Sequence, residues 1–415
     1  MFDLLPDING NASHGINEGR SIDPFTNSYI NQRINFGNYS VGTSLLLLNG
    51  LQLQHTLKQN GYAYEASKME LQQLKDNLTM NVILSYLQVL SAEEQLSASL
   101  KQVEVSRKQV ERLDILNRQG AIQPALLYDL QGQLANDELG VIDRQNAIAI
   151  AKLTLAQLMN LPFNKDLKLA PITAEAFTYD ETLTAERIYQ EAVEKLGVIK
   201  ATEFRKAAAT AGVKVAKGGY FPSVAINGNL FTNYSSAASR EILVNTFEKP
   251  SGDYVDIGGS KFSVIRQQAS YNSERISYIN QFNNNYSSSV SVGVRVPILN
   301  GFRTRNQVAL AKIELKYATY VAESSRIQLR QQVEQAHFNM TAAYNKYSIL
   351  INQVKSFGES FRIAEVKFNA GVSTQVDYLI AKNNFDRANI NLITARYDYL
   401  LRKKVLDFYQ GNLSI

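Results

Sequence analysis

The sequence predicts an α+β chain built by internal duplication, in which four β-strands feed two long antiparallel helical hairpins. Three observations predict it. The segment SVGTSLLLLNG at 40–50 returns 251 positions later as SVGVRVPILNG at 291–301, with six of eleven residues unchanged. The same offset carries Gly120 in NRQGAI onto Gly371 in FNAGVS, so the stretch between the landmarks needs no insertion. After each Asn-Gly the apolar period changes from two residues to about 3.6.

Two strands precede the hairpin in each copy. Strands are expected at 6–17, 36–48, 222–234 and 286–299. In the last, Tyr286, Ser288, Val290, Val292, Val294, Val296 and Ile298 interleave with Ser287, Ser289, Ser291, Gly293, Arg295 and Pro297, giving one apolar face and one small or polar face. Pro6-Asp7-Ile8 corresponds to Pro222-Ser223-Val224 at an offset of 216, which places 35 extra residues in the second copy. They fall around 234–285, a stretch rich in Ser, Asn, Gly and Tyr that reads as a long exposed loop.

Helices follow each Asn-Gly. From Leu51 to Asn117 there is no Pro and only one Gly, Gly61; as a single helix this stretch would run roughly 100 Å and needs a coiled-coil-like partner. Gly120 and Pro124 break it before a second helix at 123–159, and the pattern repeats at 303–369, Gly371 and 374–408. The hairpins thus span 51–159 and 303–409, with tips at 120 and 371. A further helix is expected at 184–217. The chain divides into repeat one (1–160), a linker (161–183) and repeat two (184–415). Repeat one has no counterpart of the 184–217 helix, and MFDLLPDINGN carries neither a basic n-region nor an apolar h-region. The expectation is that a start at Met1 omits an export signal and a first helix.

Composition excludes several functions. The chain has no Cys, which removes disulfides and thiolate metal sites. Its 43 basic and 38 acidic residues are interspersed without a like-charged block, which argues against nucleic acid as a partner. No apolar run approaches the roughly 18 residues of a spanning helix, a limit that leaves membrane strands open. His14, His55 and His337 lack metal-spaced partners, GDYVDIGGS at 252–260 lacks the ligand spacing of a calcium loop, and no Gly-rich segment forms a phosphate loop. No catalytic site, metal or cofactor is expected.

Four strands cannot close a barrel, and an open edge in lipid would leave backbone groups unpaired at several kcal/mol each. Either the sheet is soluble, in a structural coiled-coil protein, or several chains share one barrel. Three copies would supply twelve strands, an even number within the known range of outer-membrane barrels.

The chain resembles the TolC-type outer-membrane efflux family. PILNGFRTRNQV resembles that family's strand-to-helix junction, with Asn300-Gly301-Phe302 where two glycines are frequent, and KFNAGVSTQVDYLIAKNNF followed by ARYDYL resembles its final hairpin. The likeness covers about 6–160 and 184–411. It implies a membrane channel-tunnel: a homotrimer with a shared twelve-stranded barrel in outer-membrane lipid and a periplasmic tube of helical hairpins. It implies a passive exit duct of a tripartite export system, served by an inner-membrane pump and a periplasmic adaptor, unless the chain as given is a non-functional fragment. The barrel-to-tunnel junction would be marked by Asn49, Gly50, Pro297, Asn300 and Gly301. The tips Gly120, Ala121, Gly371, Val372 and Thr374 would meet the adaptor. Asp377, six residues past Gly371, matches an Asp that rings the family's periplasmic aperture; its alternative is a solvated carboxylate at a helix start. Ile380, Ser373 and Phe368 depart from the family pattern, and Leu126 occupies the matching place in the first hairpin, so an aperture with an apolar constriction from Leu126 and Ile380 is expected.

Overall fold

The computed structural model describes residues 5–23, 27–172 and 184–412. Its helices are α1 (Gln52–Arg118), α2 (Pro124–Leu158), α3 (Ala185–Lys195), α4 (Gly197–Gly218), α5 (Tyr278–Asn284), α6 (Arg303–Asn369) and α7 (Gln375–Tyr409). Both α1 and α6 run 67 residues, and both α2 and α7 run 35. Each member of the second pair starts and stops 251 positions after its counterpart, so the duplication is kept residue for residue in the hairpins. No described helix is long and apolar enough to cross a membrane.

Two compact units result, Met1–Gln59 with Thr210–Ile313 and Asn60–Ala209 with Glu314–Ile415. The first holds the strands: β1 (Asp7–Asn17), a short ribbon of β2 (Arg20–Ile22) and β3 (Tyr29–Asn31), β4 (Ile34–Asn49), β5 (Ser223–Ser235), β6 (Ser239–Ile257), β7 (Ser260–Arg275) and β8 (Ser287–Arg295). Four of them form one antiparallel sheet in the order β1-β4-β5-β8. Its register stacks Gly10, Val41, Leu230 and Ser288 across one row, and Leu45, Ile226 and Val292 across another on the same face. The opposite face aligns Asn9, Gly42, Asn229 and Ser289, then Asp7, Ser44, Asn227 and Ser291. Ser44 donates to Asn227 across that polar face at 2.9 Å. Along β8 the apolar face is uncovered, with Val290 80% and Val292 and Val294 each 64% exposed.

The stretch expected as an exposed loop is structured. Within 234–285, β6 and β7 pair into a long hairpin and α5 packs on β5. Its Ser, Asn and Gly content hid these strands, which show no apolar alternation and which cross-strand pairing holds together without a buried face. The strand expected to 299 stops at Arg295, because Pro297 cannot donate to a ladder.

Each Asn-Gly turns the chain from strand to helix through two successive left-handed residues, Gly50 and Leu51 in one copy, Gly301 and Phe302 in the other, all with φ of 60–62°. The two glycines differ in surroundings. A Cβ on Gly50 would lie 2.3 Å from the Gly218 carbonyl oxygen, whereas one on Gly301 meets nothing within 4 Å.

In the second unit, α3 and α4 replace the single helix expected at 184–217. Leu196 is extended (φ −69°, ψ 136°) and buried, and it joins Ile188, Ala192 and Ile199 in a core with Leu329, Val333, Met340 and Tyr399. Gly197 then lets α4 start against α1, where a Cβ would meet the Met69 carbonyl at 2.6 Å. This cover makes the repeats unequal: Ala322 and Leu329 on α6 are buried, while the matching Leu71 and Leu78 on α1 are about half exposed. Of the expected linker, residues 173–183 lie outside the described residues; Leu167, Leu169 and Ile172 pack on the α1 core, and Tyr86 donates to the Ala170 carbonyl at 2.5 Å.

Gly301→Ala is expected to cost about 1 kcal/mol, the strain of a left-handed alanine alone. Gly50→Ala should cost more, because the backbone of α4 must also move. Thermal unfolding of the two variants ranks them, and equal losses would contradict the close approach of Gly50 to Gly218.

Candidate functional site

Both hairpin tips are closed by the same backbone device. In the first, Gly120 N–H bonds to the Asn117 carbonyl at 2.9 Å and Ala121 N–H to Leu116 at 2.8 Å; in the second, Gly371 bonds to Phe368 at 3.1 Å and Val372 to Lys367 at 3.0 Å. This Schellman pattern requires a left-handed residue, and Gly120 (φ 67°) and Gly371 (φ 72°) supply it.

The helices that follow start differently. Gln123 makes no side-chain cap before α2, where Pro124 opens the helix at a position whose missing N–H costs nothing. Before α7, Thr374 and Asp377 form a capping box: Asp377 N–H donates to Thr374 Oγ1 at 3.1 Å, and Asp377 Oδ2 accepts from Thr374 N–H at 3.3 Å. The Thr374 hydroxyl also donates to that oxygen at 2.6 Å and the Ser373 hydroxyl at 3.3 Å. These bonds, led by the Thr374 hydroxyl, hold the exposed Asp377 carboxyl below the usual carboxylate range, so it is anionic at neutral pH.

Periodicity of α7 then sorts the expected aperture residues onto two sides. Asp377 and Ile380, with Ser373, line an open groove of about 800 Å³ that also includes Gly371, Val372 and Thr374. Gln375, Tyr378 and Lys382 are instead buried, facing the first hairpin. Leu126 and Phe368 fall on that buried side, packed around Leu113, Leu127, Leu130 and Tyr378, with the Phe368 and Tyr378 rings stacked at 5.0 Å. Within one chain, therefore, Leu126 and Ile380 are not brought together. Leu126 contributes its carbonyl, which accepts from Gln375 Nε2 at 2.9 Å.

Sequence reasoning missed what joins the hairpins. Lys382, 1% exposed, donates to Asp137 of α2 at 2.9 Å and to Asp386 at 2.7 Å, while Ser106 of α1 donates to Asp137 at 2.5 Å. Burial pushes the Asp386 carboxyl up despite the Lys382 ammonium, and it likewise pushes up the Tyr378 hydroxyl. Arg112 and Gln109 of α1 reach Asn369 at 2.5 and 3.2 Å. The α7 spacing 375–378–382 was the available signal, a buried stripe that carries polar ends.

The other sequence candidates stay apart. Gly258 and Gly259, left-handed, form the β6–β7 turn, and Asp256 accepts from Gly259 N–H at 3.0 Å. His14 stacks on Tyr234, and among the described residues no group of His, Asp and Glu could hold a metal ion. Asn49 accepts from Leu53 N–H at 3.3 Å and Asn300 donates to Thr304 at 2.6 Å, so both junction asparagines serve the first turn of a long helix.

The outer membrane efflux protein family model matches residues 2–161 and 188–412, which takes in all four strands of the sheet and both hairpins. The chain belongs to the outer membrane efflux protein family. It is 21% identical to the outer membrane protein TolC of Vibrio cholerae over 99% of this chain and 83% of that one, and 21% identical to TolC of Escherichia coli over 82% and 62%. Among solved structures, CusC is similar with a TM-score of 0.76 at 15% identity, covering 99% of this chain and 84% of that one. The outer-membrane channel OprN follows with a TM-score of 0.73 at 18% identity, covering 99% and 82%. The fold is that of outer-membrane efflux channels, and the family is one of transport channels rather than an enzyme class.

The Lys382 network gives a stability test. Asp137→Leu and Lys382→Met should each cost about 3 kcal/mol by stranding a buried charge, and the double variant should lose less than the sum. A double-mutant cycle by thermal unfolding checks this; strict additivity would contradict coupling across the two hairpins.

Proposed function

We propose that this efflux protein is the passive exit duct of a tripartite export system, working as a homotrimer. The observation that carries the reading is the two-faced sheet: its apolar side is uncovered along β8, its other side presents rows of Asn and Ser, and its edges β1 and β8 are open. Joining β1 of one copy to β8 of the next closes twelve strands, satisfies every backbone group and sets the valines in lipid and the amides toward water. Strands of 11, 16, 13 and 9 residues suffice to cross a bilayer when tilted.

The remaining roles follow from the hairpins. Gly120, Ala121, Gly371, Val372 and Thr374 form blunt tips that suit end-on contact with a periplasmic adaptor, and an inner-membrane pump supplies the energy. Asp377 stands at the aperture together with Ile380 and Ser373. Three copies of an anionic Asp377 around one axis favour cations in a narrow pore. The box with Thr374 keeps each carboxylate charged and fixed.

In planar bilayers the detergent-extracted protein is expected to give stable single channels with cation preference. Asp377→Ala should retain the pore and reduce that preference. Absence of channels from an intact oligomer would contradict the duct, while unchanged selectivity in the variant would contradict only the aperture role of Asp377.

A further inference from the structure

We propose that the helix-distal end of the sheet binds the phosphate of an anionic membrane lipid, with Arg33 and Arg275 as its clamp; this rests on the outer-membrane reading above. One face of β4 leads to the clamp. Leu45 and Val41 lie in the apolar rows, Tyr39 and Asn35 continue the same alternation, and Arg33 stands one residue before the strand begins. The order is therefore apolar, aromatic, cationic, which is the order a bilayer presents from acyl chains through interface to head groups.

The aromatic step is a built cluster. Tyr39 lies 5.8 Å from Phe282, Tyr234 lies 4.6 Å from Tyr278, and the Tyr278 hydroxyl donates to that of Tyr39 at 2.6 Å. Helix α5, which carries Tyr278 and Phe282, is held by buried Gln281: its amide donates to the Ser235 and Ile276 carbonyls and accepts from Ser235 N–H, each at 2.9 Å. Below it, an apolar groove of about 380 Å³ is lined by Gly10, Ala12, Val41, Leu230, Phe282 and Tyr286, a surface that suits an acyl chain.

Above the cluster lies a polar cavity of about 550 Å³ lined by Arg33, Arg275, Gln32, Asn35, Ser236 and Ser239. Its rim is fixed by reciprocal bonds, Asn35 N–H to Ser236 Oγ and Ser236 N–H to the Asn35 carbonyl, both at 2.9 Å. Glu274, next to Arg275, is taken by Arg240 at 2.8 Å. Among the described residues neither Arg33 nor Arg275 has an ion-pair partner. Two unpaired guanidiniums on one cavity repel each other, and a phosphate relieves the repulsion while accepting their forked N–H groups. Free phosphate shares that chemistry, but the adjoining apolar groove and aromatic cluster select a lipid.

Native mass spectrometry of the detergent-extracted full chain tests the site, with lipid A, dephosphorylated lipid A and inorganic phosphate as probes. Wild type is expected to bind lipid A about tenfold or more tightly than the dephosphorylated form, and Arg33→Gln with Arg275→Gln to bring the ratio close to one. Equal retention of the two lipids by wild type would overturn the proposal, as would an unchanged ratio in the double variant. Inorganic phosphate competing as well as lipid A would also overturn it. Channel conductance of the double variant should remain at the wild-type level, so a failed lipid site and a failed duct give different results.

Discussion

The outward N–H and C=O groups of β1 and β8 have no ladder partner in the four-stranded sheet, and the valines beside them have no cover. In water such an edge invites aggregation; in lipid it costs several kcal/mol per group. Most other features answer to this constraint. The polar rows of Asn and Ser are useful only if they face water inside a closed wall, and closure needs further copies. The Asn-Gly turns then pass the chain from a wall bonded between strands to helices bonded within themselves. At that point lateral partners for the backbone are no longer needed.

Duplication supplied two copies of the same solution, and they have diverged where neighbours differ. The helices kept their lengths to the residue. At the tips the Gly closures are identical in bonding, but α2 opens with Pro124 and α7 with the Thr374–Asp377 box. A carboxylate therefore sits on the exposed groove of the second hairpin, while its counterpart, Leu126, sinks into the contact between hairpins. The Gly50 junction is pressed against α4 and the Gly301 junction is open. Each asymmetry assigns one repeat to packing and leaves the other free to act.

Much of the architecture could be read from residue order, because periodicity reports local hydrogen bonding directly. The two 67-residue helices, their breaks at Gly120 and Gly371 and the alternation of β8 needed no tertiary information. What escaped was tertiary. β6 and β7 are exposed on both faces, so no apolar stripe announced them. Leu196 is an unremarkable leucine whose extended backbone is set by burial against α6. Placement of Leu126 and Phe368 depends on which side of α7 faces α1 and α2, and Tyr378 and Lys382 decide that. Their spacing marks one stripe of α7, but the polar ends of Gln375 and Lys382 make that stripe read as a solvated face.

Joining of copies through β1 and β8 can be tested directly by cysteine cross-linking, because the chain has no cysteine of its own. Asn9→Cys on the polar face of β1 would be combined in turn with Ser287→Cys, Ser289→Cys and Ser291→Cys on the matching face of β8. Oxidation of the membrane-embedded protein is expected to give covalent dimers and trimers, strongest for one of the three pairs and going no higher than three. A chain that stays monomeric in all three pairings, or that links without limit, would contradict a shared, closed barrel.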